Sequence, residues 1–153
     1  MSKPPLHEVS RRQLLAVGAA AGLGVTWRPA HAMSDVLATA LRGYTGGAAT
    51  REGKVTFDIA PLVENGNTVP VTVTVDNPMT AANHVQAIAI FNEKNPQRDV
   101  LSCRLTPRMG RPVVATRIRL ATSQQLVAVA KLSDGTFWTH TVDVVVTLAA
   151  CIE

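Results

Sequence analysis

Between residues 34 and 44 the apolar side chains recur at helical spacing, and beyond residue 47 they recur at every second position instead. Ser34 is placed to cap a short helix whose apolar stripe is Val36, Leu37, Ala40, Leu41 and Tyr44, and Gly46-Gly47 ends it. The alternating stretches predict strands over residues 54–59, 71–75, 84–91, 100–105, 113–120, 125–132 and 137–148. Val71, Val73 and Val75 share one face, with Thr72 and Thr74 on the other. In the next strand Val85, Ala87, Ala89 and Phe91 oppose Gln86, Ile88 and Ile90, and in the one after it Leu101, Cys103 and Leu105 lie together. Residues 125–132 are apolar at nearly every position, as expected for a strand covered on both faces.

Turn chemistry separates these runs. Pro61 breaks the first, and Glu64-Asn65-Gly66-Asn67 supplies residues that tolerate positive φ. Asp76-Asn77-Pro78, a polar loop over residues 92–96, Arg108-Met109-Gly110-Arg111 and the hairpin signal Ser133-Asp134-Gly135-Thr136 follow. About seven strands at this spacing, after one helix, predict an all-β fold. Its architecture is expected to be an immunoglobulin-like antiparallel β-sandwich preceded by a short N-terminal helix.

The amino-terminal segment reads as an address. Ser10-Arg11-Arg12-Gln13-Leu14-Leu15 is a twin-arginine motif, an apolar run over residues 14–25 follows, and Ala30-His31-Ala32 predicts cleavage before Met33. The run is short and rich in Ala and Gly, whereas a span needs about 20 apolar residues, so stable membrane insertion is not expected. Residues 1–32 are therefore expected to be a twin-arginine signal peptide, and residues 33–153 a single periplasmic domain exported already folded. The signal takes with it four of the fifteen basic residues and one of the eleven acidic ones, leaving eleven against ten, a balance of +1. The apparent basicity belongs to the signal, and nucleic-acid binding loses its electrostatic support.

Little else in the domain carries chemistry. His84 and His140 stand in no ligand spacing, so neither a metal nor another cofactor is expected. Ser133-Asp134-Gly135 is a turn and not a nucleophile elbow. Arg108, Arg111, Arg117 and Arg119 concentrate charge in one stretch. They read as a solvated strand face or as a docking surface for acidic partners or small sulfur oxyanions. Two cysteines remain, in a compartment where disulfides persist. Cys103 sits between Leu101 and Leu105 at strand spacing, which turns it toward the core and disfavours a bond to the chain end. Cys151 is third from the end, beyond a strong strand pattern, where few contacts are expected to hold it. It is the candidate nucleophile.

Several segments resemble SoxY, the sulfur-carrying subunit of the periplasmic sulfur-oxidation system. They are Glu64-Asn65-Gly66-Asn67-Thr68-Val69-Pro70, Val75-Asp76-Asn77-Pro78-Met79-Thr80 and Thr116-Arg117-Ile118-Arg119-Leu120-Ala121. Ser133-Asp134-Gly135 and the terminal strand ending in Cys151 match as well. The resemblance implies a carrier and not an enzyme, paired as a heterodimer with a SoxZ-like β-sandwich subunit. It implies that Cys151 holds sulfur intermediates covalently, that a c-type haem protein attaches thiosulfate oxidatively, and that a hydrolase releases sulfate. The family tail is Gly-Gly-Cys-Gly-Gly, whereas this chain has Ala149-Ala150-Cys151-Ile152-Glu153. The cysteine keeps its distance from the end and loses all four flanking glycines. Two readings follow: a diverged carrier that still loads Cys151, or a SoxY-like binding or structural subunit without the swinging-tail role.

Overall fold

The computed structural model describes residues 33–150. The expected signal over residues 1–32, with its cleavage site, and the candidate nucleophile Cys151 lie outside the described residues. The helix predicted from residue 34 is α1, Asp35–Thr45. The Ser34 hydroxyl accepts from the Leu37 N–H, and Gly46 closes the other end in the left-handed conformation at φ 65°. Leu37 and Leu41 are buried against Ala89, Phe91, Val127, Val129 and Phe137, while Val36 faces outward. Tyr44 sets its ring edge-on to Phe91 at 5.4 Å and to Phe137 at 6.2 Å.

Nine strands follow where the alternation predicted about seven. They are β1 Thr50–Glu52, β2 Val55–Asp58, β3 Leu62–Asn65, β4 Val69–Val75, β5 Val85–Asn92, β6 Asp99–Arg104, β7 Val113–Ile118, β8 Gln124–Leu132 and β9 Phe137–Leu148. One sheet runs β1-β9-β8-β5-β6 with β3 also on β9, and a second runs β2-β4-β7. Both remain open at their edges, so the fold is two β-sheets and a short N-terminal helix.

The sheets share one core. Val55, Phe57, Val71, Val73, Val75 and Ile118 come from the smaller sheet, and Val85, Ile88, Ile90, Leu126, Ala128, Ala130 and Val144 from the larger. The doubly covered strand expected near residue 125 is β8. Its even-numbered apolar residues enter this core, and Val127 and Val129 pass beneath α1.

Two expectations need correction. The faces assigned to β5 change at a register shift between Val85 and Ala87. Val85 therefore joins Ile88 and Ile90 in the core, while Ala89 and Phe91 turn to the helix. The antiparallel expectation also fails at one edge. β9 pairs in parallel with β1 through Thr50↔Phe137 and with β3 through Leu62↔Val145. Both added strands are short, and together they cover an edge that a twelve-residue strand would otherwise leave open. No helix among the described residues is long and apolar enough to cross a membrane.

Candidate functional site at the root of the terminal strand

The chain leading to Cys151 is held up to the residue before it. β9 ends at Leu148, Ala149 is exposed, and Ala150 is buried again. Three backbone hydrogen bonds tie this stretch to two distant segments. The Gly66 N–H donates to the Leu148 carbonyl at 2.8 Å, the Leu120 N–H to the Gly66 carbonyl at 2.8 Å, and the Ala150 N–H to the Leu120 carbonyl at 3.0 Å. Residues 66, 120 and 148–150 thus close into one ring of backbone, with the Leu120 side chain fully buried.

Gly66 is required here for space. A Cβ at this position would run into the Leu120 carbonyl oxygen and would stand 3.0 Å from the Ala150 nitrogen and 3.2 Å from the Leu148 oxygen. The turn reading of Gly66 through positive φ is corrected accordingly. Among the described residues the left-handed glycines are Gly46, Gly47, Gly53, Gly110 and Gly135, and Gly66 is not one of them.

Polar side chains brace the ring from below. The buried Asn95 amide donates to the Arg119 carbonyl at 2.8 Å, and its oxygen accepts from the Ala121 N–H at 3.0 Å. Leu120 is therefore pinned on both sides. Gln124 donates to the same Asn95 oxygen at 2.8 Å, and Asn92 holds the Asn95 N–H at 3.0 Å. Ser123 accepts from the Val146 N–H at 2.8 Å, and Thr147 donates to the Glu64 carbonyl at 3.1 Å. The sequence pattern reads residues 92–96 as a plain polar loop, gives no role to Asn95 or Gln124, and reads Gly66 as turn chemistry rather than as a site of close approach. Their amide and glycine chemistry was visible, but the partners are up to tens of residues away.

The other candidates separate from this region. Cys103 is a free thiol on β6, half-buried against the core, and donates to the Ile88 carbonyl at 3.4 Å. Burial pushes its pKa up, partly offset by that hydrogen bond. The core-facing expectation for Cys103 holds. His140, expected at the surface, is half-buried, and its Nδ1 accepts from the Phe57 N–H at 2.8 Å, bridging the two sheets. His84 also lies half-buried, with Nδ1 lacking a hydrogen-bond partner. Arg108, Arg111, Arg117 and Arg119 are all exposed. Trp138 lies under Lys54, 4.9 Å from the ring centre, and near Arg51 at 6.0 Å. Among the described residues, no group of three or more His, Cys, Asp or Glu side chains could hold a metal ion.

A family model described as "Sulfur oxidation protein SoxY" matches residues 41–151, a span that includes Gly66, Leu120 and Ala150. The solved sulfur carrier protein SoxY from Chlorobium limicola f thiosulfatophilum is 29% identical, with a TM-score of 0.60, over 72% of this chain and 90% of that one. Superoxide reductases share the fold at lower identity. The Ignicoccus hospitalis neelaredoxin is 17% identical with a TM-score of 0.56, over 61% of this chain and 80% of that one. The Nanoarchaeum equitans enzyme is 12% identical with a TM-score of 0.54, over 63% of this chain and all of that one. A comparison with curated protein sequences finds no match. Most of the chain falls within the matched family, so it belongs to the SoxY family of sulfur oxidation proteins, which are carriers and not catalysts.

Proposed function

We propose that this protein is a periplasmic sulfur carrier that holds thiosulfate-derived intermediates on Cys151. The observation that carries the reading is the family match over residues 41–151, whose last matched residue is this cysteine. A thiolate is the reactive form, and burial holds the half-buried Cys103 in its protonated form, which leaves it poorly suited to the work.

In the loading step the Cys151 thiolate and the outer sulfur of thiosulfate join through a new S–S bond. Two electrons pass to a c-type haem partner, and the product is a cysteine S-thiosulfonate. In the unloading step water attacks the terminal sulfur, the bond to the inner sulfur breaks, and sulfate leaves with two protons, leaving a persulfide anion on Cys151. The carrier contributes the thiol and its presentation, while haem protein and hydrolase supply the chemistry. A SoxZ-like subunit is the expected heterodimer partner, and an immunoglobulin-like sandwich the expected description of the domain. Residues 1–32 serve as the twin-arginine signal, and the mature carrier begins at Met33.

The test is a reconstituted thiosulfate-oxidation assay with the SoxZ-like, haem and hydrolase partners. Cys151→Ser is expected to abolish the single round of sulfate release, and Cys103→Ser to leave it near the wild-type rate. Full activity in Cys151→Ser would instead support the second reading, a subunit retained for its sandwich alone.

A further inference from the structure

A thiol can be loaded and unloaded only where its stalk allows it to go. Consecutive Cα atoms lie about 3.8 Å apart, so the sulfur-bearing residue is one peptide unit beyond Ala150. Ala150 is buried, and its N–H is bonded to the carbonyl of a fully buried leucine. That leucine is held in turn through the Gly66 carbonyl and, on both sides, through Asn95. The anchor point depends on three backbones meeting where no side chain fits, and only glycine meets that condition at position 66.

We propose that Gly66 is a positioning residue for the carrier thiol, fixing the root of the tail at Ala150 so that Cys151 works from a short, rooted stalk. The proposal rests on the carrier reading for its purpose, but not for its geometry. A side chain at position 66 must displace the Leu120 carbonyl and with it the acceptor of Ala150. Freed from Leu120, the tail would pivot from the end of β9 at Leu148, two residues further back. A partner enzyme must accordingly accept a thiol close to the carrier's body, or break the Ala150–Leu120 bond to draw it in. Ala150 belongs to the fixed root, and there a more flexible residue would weaken the anchor.

The experiment uses the full chain in a Cys103→Ser background, which leaves Cys151 as the one thiol. Alkylation rates are measured with iodoacetamide and with a maleimide carrying a large polyethylene glycol, and their ratio reports how near the body the sulfur is held. Gly66→Ala is expected to raise the bulky-to-small ratio severalfold. Ala150→Pro, which removes the donor N–H without touching Gly66, is expected to raise it to the same extent and serves alone should Gly66→Ala not fold. Val73→Ala, a core truncation remote from the root, should lower the melting temperature and leave the ratio unchanged. An unchanged ratio in the root variants, or an equal rise in Val73→Ala, would overturn the proposal. Thiosulfate loading is scored separately, so a thiol that shows the predicted ratios but takes no sulfur would defeat the carrier reading alone.

Discussion

The central strands and the tail root are both tied into the body, yet they are held by different forces. β5 and β8 are fixed by apolar side chains packed on two faces, with Ile88, Ile90, Leu126 and Val129 all fully buried. The root takes such packing from one residue, the fully buried Leu120: Gly66 has no side chain, Ala150 has a methyl group, and Leu148 is 60% exposed. Around Leu120 its order comes from three backbone hydrogen bonds and the amide of Asn95. Packing of the first kind tolerates small shifts and loses energy in proportion to what is removed. A ring of backbone contacts depends on close approach, so one added methyl group can open it. The protein thus pairs a robust body with a sensitive point next to the residue proposed to carry sulfur.

The largest effect is expected in the body. Leu126→Ala should cost about 2–5 kcal/mol of unfolding free energy in a denaturant titration, through lost burial and the cavity left behind. Hydrogen exchange at the Ala150 amide should then change only as far as global stability does. Next come two glycines that test the comparison directly. Gly66→Ala should destabilise by about 1–3 kcal/mol, the usual range for forcing atoms into a full site. Gly43→Ala, within α1 and with open space around the new Cβ, should stabilise by about 0.5–1 kcal/mol. Equal signs for the two would show that residue 66 is ordinary turn backbone.

Asn95→Ala should cost about 1–3 kcal/mol, since it strands the Arg119 carbonyl and the Ala121 N–H. Unlike Leu126→Ala, it should also expose the Ala150 amide to exchange out of proportion to the global loss. The smallest effect concerns Cys103. Burial raises its pKa, so the folded protein keeps this proton more tightly than the unfolded chain. Its contribution to stability is intact below the ordinary thiol value and is lost as pH rises from there through the raised folded value. In a Cys151→Ser variant, Cys103 alkylation should accelerate only above the ordinary thiol range. A rate already maximal near neutral pH would contradict this placement.

Much of the body was legible in the sequence because its forces are local in pattern. The Ser34 cap, the Leu37–Leu41 spacing, the alternation of Val71, Val73 and Val75, and the unbroken apolar run of β8 each state a period and a face. β1 and β3 carry no such pattern. Thr50, Arg51 and Glu52 are all exposed, and these residues form a strand only because β9 offers an edge. The faces of β5 were misread because a register shift breaks the period without changing residue type. At the root the legible part was the resemblance, since two of the matched stretches and the terminal strand meet there. The reason for their meeting was not legible. A glycine needed for close approach looks the same in sequence as one needed for a turn.

The central claim is that sulfur is held on Cys151. Its most direct test is intact-mass analysis of the reduced carrier, with its proposed SoxZ-like subunit, after incubation with thiosulfate and the proposed oxidising haem partner, followed by peptide mapping. One thiosulfate-derived group on Cys151, lost on treatment with reductant and absent from Cys103, is the predicted result. An unmodified Cys151, beside normal loading of a control carrier with a Gly-Gly-Cys-Gly-Gly tail, would contradict it.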